Sequence, residues 1–150
     1  MRAAAGVFAL AALTASPALA ADGGAEDGKA VFEQVCAACH QAGGVGAPGL
    51  APPLVDPALW GRLGDTAPRY VAGVLLGGLS GTIEAGGEKY MGLVMPPQDG
   101  LDDAALAAVG SYVLKDLAGT AHTLTPALLV EVRGAVPSHG ALRTLRKGGG

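Results

Sequence analysis

Large aromatic side chains and charged side chains are both scarce in this 150-residue chain. Phe, Trp and Tyr make up 4% of the residues and Asp, Glu, Lys and Arg 15%, while half of the residues are hydrophobic. This composition excludes bulk disorder, and it also excludes a strongly charged nucleic-acid binder. A chain of this length normally forms one compact domain. The composition therefore predicts a globular domain whose core is short of bulky side chains and has room for a bulky group from outside the polypeptide.

The chain also lacks a hydrophobic run long enough to cross a bilayer. The run from Ala3 to Leu13 follows Arg2 and is shorter than the roughly 18 residues that a membrane-spanning helix needs. Ala18-Leu19-Ala20 then has the small-x-small pattern of a signal-peptidase site. We therefore expect residues 1–20 to be a signal peptide cleaved after Ala20, and the protein to be exported to the periplasm without a transmembrane segment.

Positive charge is scarce in most of the chain but not at its end. Residues 21–119 contain 5 basic and 12 acidic side chains, whereas residues 120–150 contain 4 basic and 1 acidic side chain. We interpret residues 21–119 as the main domain and residues 120–150 as a basic C-terminal extension. An ordinary solvated surface explains the acidic excess, and a face that orients a basic partner is the alternative. Residues 125–147 are expected to form an accessory element outside the haem fold, docked on the acidic domain or on its partner through an attraction that salt weakens. A frayed tail is the alternative.

Helix caps and glycines predict a mostly helical domain. Asp56 and Asp102 each stand where an N-cap residue would start a helix, and Gly86-Gly87 suits the turn of a short hairpin. Residues 43–53 are too rich in Gly and Pro for regular structure, and residues 133–150 look increasingly loose. The predicted elements are helices over residues 25–35, 56–60, 66–77 and 102–119, a hairpin over residues 83–90, and a short apolar segment over residues 125–132.

The only two cysteines lie in the motif Cys36-Ala37-Ala38-Cys39-His40. In a C-x-x-C-H motif two thiols three positions apart can add across the vinyl groups of a haem, and the adjacent histidine reaches the iron. The alternatives are a simple disulfide, a thioredoxin-like redox pair and half of a zinc site. No second Cys/His pair with zinc-site spacing is evident, and no βαβ pattern surrounds the motif.

Over residues 28–117 the sequence resembles the class I cytochrome c family. Gly28 and Phe32 match the small residue and the aromatic that the family carries on the helix before its haem motif. The resemblance implies that this pair packs against the last helix of the domain through Val109 and Tyr112. It further implies an all-α fold around one covalent haem c, with the predicted hairpin as a small excursion.

The same resemblance implies which residues hold the haem. Ala51-Pro52-Pro53-Leu54 is similar to the family's proline segment, so that the Pro52 carbonyl would orient His40 and Leu54 would touch the ring. Met95-Pro96-Pro97 is similar to the family's ligand loop, which implies Met95 as the distal ligand. The other candidates receive simpler interpretations: Met91 as packing or loop filler, and His122 and His139 as exposed residues beyond the closing helix.

Contacts to the edge of the haem are less well defined by the resemblance. Residues 77–97 look like small monohaem cytochromes and cytochrome subunits associated with periplasmic dehydrogenases, but Gln98 stands where related loops often have an aromatic. Arg69, Trp60 and Tyr90 are candidates for contacts to the propionates or the haem edge. A surface arginine and two core aromatics explain the same three residues.

The resemblance implies a periplasmic single-electron carrier that is not an enzyme. Its partners would be redox proteins, such as a periplasmic dehydrogenase or a terminal oxidase, and not nucleic acid. An obligate electron-transfer subunit of such a complex is the first alternative. The second is a haem-based enzyme or gas sensor, which would need an open or displaceable distal position in place of a fixed Met95.

Overall fold

The computed structural model of the protein describes residues 27–148. The predicted signal peptide, residues 1–20 with cleavage after Ala20, lies outside the described residues. Asp27 has extended backbone angles, and its carboxylate accepts a hydrogen bond from the Lys29 amide at 3.0 Å. Asp27 is therefore the N-cap of the helix that begins at Gly28, and the predicted helix start at residue 25 lies outside the described residues.

The described part of the chain contains seven α-helices and four short strands. This confirms the predicted mostly helical fold with a small hairpin. The helices are α1 (Gly28–Val31), α2 (Ala37–His40), α3 (Pro57–Leu63), α4 (Ala67–Gly77), α5 (Asp103–Tyr112), α6 (Pro126–Arg133) and α7 (His139–Arg146). The strands are β1 (Leu79–Ser80), β2 (Ile83–Ala85), β3 (Glu88–Tyr90) and β4 (Val94–Met95).

Helices α1 and α2 are joined by a π-helical turn without a gap, so that the chain is helical from Gly28 to His40. The wider turn spans Phe32–Cys36, and a second π-helical turn, Val113–Leu117, extends α5. Single π-helical turns are uncommon and occur frequently at functional sites. The first of them ends at the first cysteine of the motif, and α2 carries the rest of the motif through His40.

Two pairs of antiparallel strands interrupt the helices. Strands β2 and β3 form the predicted hairpin, with Gly86 and Gly87 both at positive φ in its turn. Strands β1 and β4 form a second, unpredicted pair in which Leu79 lies opposite Met95. This second pair ties the end of α4 to the segment that contains Met95.

The N-terminal helix crosses α5 at very close range. A Cβ atom placed on Gly28 would lie 2.1 Å from the Ala108 carbonyl oxygen, so that glycine alone fits there. One turn later the rings of Phe32 and Tyr112 lie 5.4 Å apart between their centroids, and Val109 is fully buried. The predicted crossing of these two helices is confirmed.

The C-terminal helices share the core of the rest of the domain. Leu129, Val132 and Leu142 are almost fully buried in the same cluster as Phe32 and Val109. Helix α6 packs against α4 and α5, and α7 packs against α3, α4 and β1. The expectation that residues 133–150 are increasingly loose is wrong as far as Arg146, because α7 buries an apolar face.

No helix within residues 27–148 combines the length and the apolar character that crossing a membrane requires.

Candidate functional site

A cavity of about 270 Å³ opens between the N-terminal helix, α3, α4, α5 and the two strand pairs. Its walls are predominantly apolar and include the buried residues Phe32, Leu59, Val71 and Val109. All six site residues that the sequence predicts line this one cavity. They are Cys36, Cys39, His40, Pro52, Leu54 and Met95.

The two cysteines of the motif differ in exposure and are not disulfide-bonded to each other. Cys36 is half-buried and Cys39 is exposed. Burial, and secondarily the neighbouring Cys39, raises the pKa of the Cys36 thiol to about 11. Reactive cysteines of thioredoxin-like pairs have lowered pKa values instead. The environment of Cys36 therefore favours the protonated thiol and argues against the thioredoxin-like alternative.

The imidazole of His40 is buried and oriented by one hydrogen bond. Its Nδ1 atom lies 2.9 Å from the carbonyl oxygen of Pro52. A carbonyl can only accept, so Nδ1 carries the proton and Nε2 keeps its lone pair. Burial lowers the pKa of His40, and the hydrogen bond to Pro52 partly opposes that shift. The result is a neutral imidazole with one free nitrogen in the form that a metal ion binds.

A glycine-rich loop holds the Pro52 carbonyl in place. The Gly46 amide donates to the His40 carbonyl at 2.8 Å, and the Leu54 amide donates to the Gly44 carbonyl at 2.7 Å. A Cβ atom on Gly46, which has φ +72°, would lie 2.5 Å from the Pro53 nitrogen. The loop after His40 therefore folds back on the proline segment at a distance that no larger residue permits.

Met95 lines the cavity on a segment that is fixed at both sides. Its strand β4 pairs with β1, and the Gln98 amide donates to the Leu75 carbonyl at 2.8 Å. Met91, by contrast, is 63% exposed and is not among the residues that line the cavity. Of the two candidate methionines, the structure brings only Met95 to the cavity.

Of the three candidates for contacts to the haem edge, two line the cavity and one does not. Trp60 and Tyr90 are buried and line the cavity. The Trp60 Nε1–H donates to the Leu54 carbonyl at 2.6 Å, so this donor is already used. Arg69 is exposed, forms an ion pair with Glu131 and does not line the cavity. The interpretation of Arg69 as a haem-edge residue is therefore wrong, and that of a surface arginine is right.

Both histidines beyond α5 lie away from the cavity. His139 is half-buried, and its Nε2 donates to the Gly77 carbonyl at 3.1 Å while Nδ1 lies against the Ser80 hydroxyl. His122 Nε2 lies 3.7 Å from a carboxylate oxygen of Asp65. The interpretation of His139 as an exposed tail residue is wrong, since it anchors α7 to the end of α4 and to β1.

Sequence reasoning missed the charged side chain that lines the cavity. Arg146, in the last turn of α7, is 7% exposed and contributes to the cavity wall. The spacing of Leu142, Leu145 and Arg146, at i, i+3 and i+4, is the signal that could have revealed a helix with one buried face. The run of basic residues concealed it, because such a run is typical of a solvated tail.

Comparison with known proteins shows that the chain matches a protein family. The model of the family described as Cytochrome c matches residues 25–115. Two curated relatives, both named Cytochrome c-552, come from Thermus thermophilus, the second of them from a named strain of that species. Each is 40% identical to this chain over 87 residues, which is 58% of this chain and 65% and 57% of the respective relatives. The similarity thus spans less than two thirds of each relative, and α6 and α7 lie outside the residues that the family model matches.

Proposed function

We propose that this chain, which belongs to the cytochrome c family, is an exported carrier of single electrons whose haem iron is bound by His40 and Met95. Membership of the family indicates a covalently attached c-type haem as the cofactor. The observation that carries the proposal is that the cysteine pair, the oriented histidine and Met95 line one largely apolar cavity.

The residues present fit a covalently attached haem. Cys36 and Cys39 supply two thiols for thioether bonds, and His40 supplies a free Nε2 whose orientation depends on Pro52. Met95 supplies a thioether sulfur, a soft ligand that favours Fe(II) and so raises the reduction potential. When bound, the haem supplies one-electron chemistry between Fe(III) and Fe(II).

The chain's own residues hold, orient and shield the cofactor. The hydrogen bond to Pro52 fixes the tautomer and the plane of His40. The buried apolar walls exclude water, and the pairing of β4 with β1 holds Met95 on a short, rigid segment. A fixed methionine supports electron transfer over gas sensing or haem-based catalysis, because those activities need an open distal position.

Location and partners complete the proposal. The N-terminal pattern supports export to the periplasm after cleavage at Ala20, and covalent attachment retains a cofactor in such a compartment. The proposed partners are redox proteins, such as a periplasmic dehydrogenase or a terminal oxidase. Permanent assembly into such a complex is the alternative, and co-purification of the native protein with a stable partner would support it.

Met95→Ala tests the proposed ligand. We expect the weak far-red absorption band of oxidised, thioether-ligated haem to disappear, because the iron loses its sulfur ligand. We also expect the reduction potential to fall by on the order of 0.1 V, a fraction of the roughly 0.8 V that axial ligands span. The visible spectrum and a redox titration measure the two effects.

Met91→Ala is the matched control, because Met91 is exposed and does not line the cavity. It should leave both the band and the potential unchanged. If Met91→Ala abolishes the band and Met95→Ala does not, the ligand assignment is wrong. Carbon monoxide binding distinguishes an electron carrier from a gas sensor. Rapid binding of carbon monoxide to the reduced wild-type protein at neutral pH would favour the gas sensor.

A further inference from the structure

Arg146 places a buried positive charge against the cavity. Its guanidinium donates from Nη1 to the Tyr70 hydroxyl at 2.8 Å and from Nη2 to the Glu84 carbonyl at 3.3 Å. The carbon Cζ also lies 5.8 Å from the centre of the Tyr70 ring. The charge is therefore held between α4, β2 and α7 by well-defined contacts.

None of these partners neutralises the charge. The Tyr70 hydroxyl and the Glu84 backbone carbonyl are both uncharged acceptors, and burial raises the pKa of Tyr70 despite the opposing effect of Arg146. Within residues 27–148 the basic side chains that lie within 4 Å of a carboxylate oxygen are those of Arg69, Arg133 and His122, and not that of Arg146. An isolated buried charge is costly, so buried charges in proteins are almost always paired.

The cavity that Arg146 lines is the one proposed for the haem. At neutral pH the two propionates are the negatively charged groups at the periphery of a haem. A guanidinium matches a carboxylate with two parallel N–H···O bonds, and it has five N–H groups in total. Two of the guanidinium nitrogens have the protein partners described above, and further N–H groups remain for a carboxylate.

We propose that Arg146 binds a haem propionate, so that the C-terminal helix completes the cofactor site. This inference rests on the proposed function, since it requires the haem to occupy the cavity. It assigns a role to a segment outside the residues that match the family. Arg146 also takes the place of Arg69 as the candidate for propionate contact, because the Arg69 guanidinium is paired with Glu131 on the surface.

The position of Arg146 is fixed from the protein side. The Arg62 Nε–H of α3 donates to the Arg146 backbone carbonyl at 3.0 Å, and Leu142 one turn earlier is fully buried. The last turn of α7 therefore has a backbone anchor and an apolar anchor that do not depend on the guanidinium. This allows the charge to be changed while the helix stays docked.

Arg146→Gln in the haem-loaded protein tests the inference. A positive charge beside the haem favours Fe(II) and keeps a propionate ionised, so its removal should lower the equilibrium constant for reduction about tenfold, or about 59 mV for a one-electron couple. The unpaired propionate should then titrate at a higher pH, because burial raises the pKa of a carboxyl group. We expect a potential that rises as the pH falls from about 8 to 5, against a flatter wild-type profile.

Lys147→Gln is the control, because it removes the same charge from the exposed adjacent residue. Its potential and pH profile should match those of the wild type, and Arg146→Lys should recover part of the loss. An Arg146→Gln variant with wild-type potential and pH profile would overturn the inference, as would equal effects of the two Gln variants. A purely structural Arg146 would change thermal stability and leave the potential in place.

Resonance Raman spectroscopy decides the matter if Arg146→Gln does not fold. The propionate bending mode should shift between the wild type and Arg146→Lys, because a lysine cannot form the two parallel bonds. An unchanged mode would reject the contact. If the wild-type protein is isolated without bound haem, the proposed function and this inference are both refuted. If the variants bind haem and their potential, pH profile and propionate mode match those of the wild type, the inference alone is refuted.

Discussion

Gly28 shows how one residue determines the approach of two helices. A Cβ atom there would lie 2.1 Å from a backbone oxygen of α5, which cannot move away as a flexible side chain can. Gly28→Ala should therefore lower the free energy of unfolding by about 3 kcal/mol, at the upper end for overpacking. Urea unfolding followed by circular dichroism measures it.

Gly61 is the control for this prediction. It lies in α3, and an added Cβ atom would meet nothing within 4 Å. Gly61→Ala should raise stability by about 0.5–1 kcal/mol, because alanine loses less backbone entropy in a helix. Similar effects of the two substitutions would show that the crossing is looser than described.

Some of the residues that line the cavity can be predicted from a local sequence motif, and others cannot. Cys36, Cys39 and His40 form a local motif, and the partner of His40 is only 12 positions away. Arg146 contacts Tyr70 across 76 positions, and no local pattern encodes such a contact. Sequence reasoning therefore identifies the motif and its proline segment but not the buried charge, which depends on how α7 docks.

At the scale of elements, α7 stabilises the fold through a buried leucine. Leu142 is fully buried in the common core, so Leu142→Ala should cost about 2–5 kcal/mol. Val130→Ala is the control, because Val130 is 63% exposed and surface substitutions stay within about 0.5 kcal/mol. Thermal unfolding of both variants measures the difference, and a Leu142→Ala protein as stable as the control would mean that α7 is not docked in solution.

Two of the correctly predicted helices, α3 and α5, begin at a residue that caps them. The side chains of Asp56 and Asp102 each accept a hydrogen bond from a backbone amide three residues later, as N-caps do. Helix α3 nevertheless extends past residue 60 to Leu63, because Leu63 adds to its buried face. The pair β1–β4 was missed, because two-residue strands are too short to show an alternating pattern.

For the molecule as a whole, burial and not charge holds the C-terminal helices. The ion pairs of Arg69 with Glu131 and of Arg133 with Asp103 link these helices to the rest, but their side chains are 35–61% exposed. Such surface pairs contribute about 0–1 kcal/mol each and weaken with salt. The expected electrostatic docking of a basic extension is therefore a minor part of an interface that buries leucines and valines.

The mass of the unfolded, purified protein tests the central claim most directly. The protein is produced in a host that attaches c-type haem, and it is then denatured and extracted with acidified solvent. Addition of two thiols across two vinyl groups loses no atoms, so we predict the mass of the mature chain plus one intact haem, with no titratable thiol. A chain without the added mass and with two free thiols would contradict a covalent haem on Cys36 and Cys39.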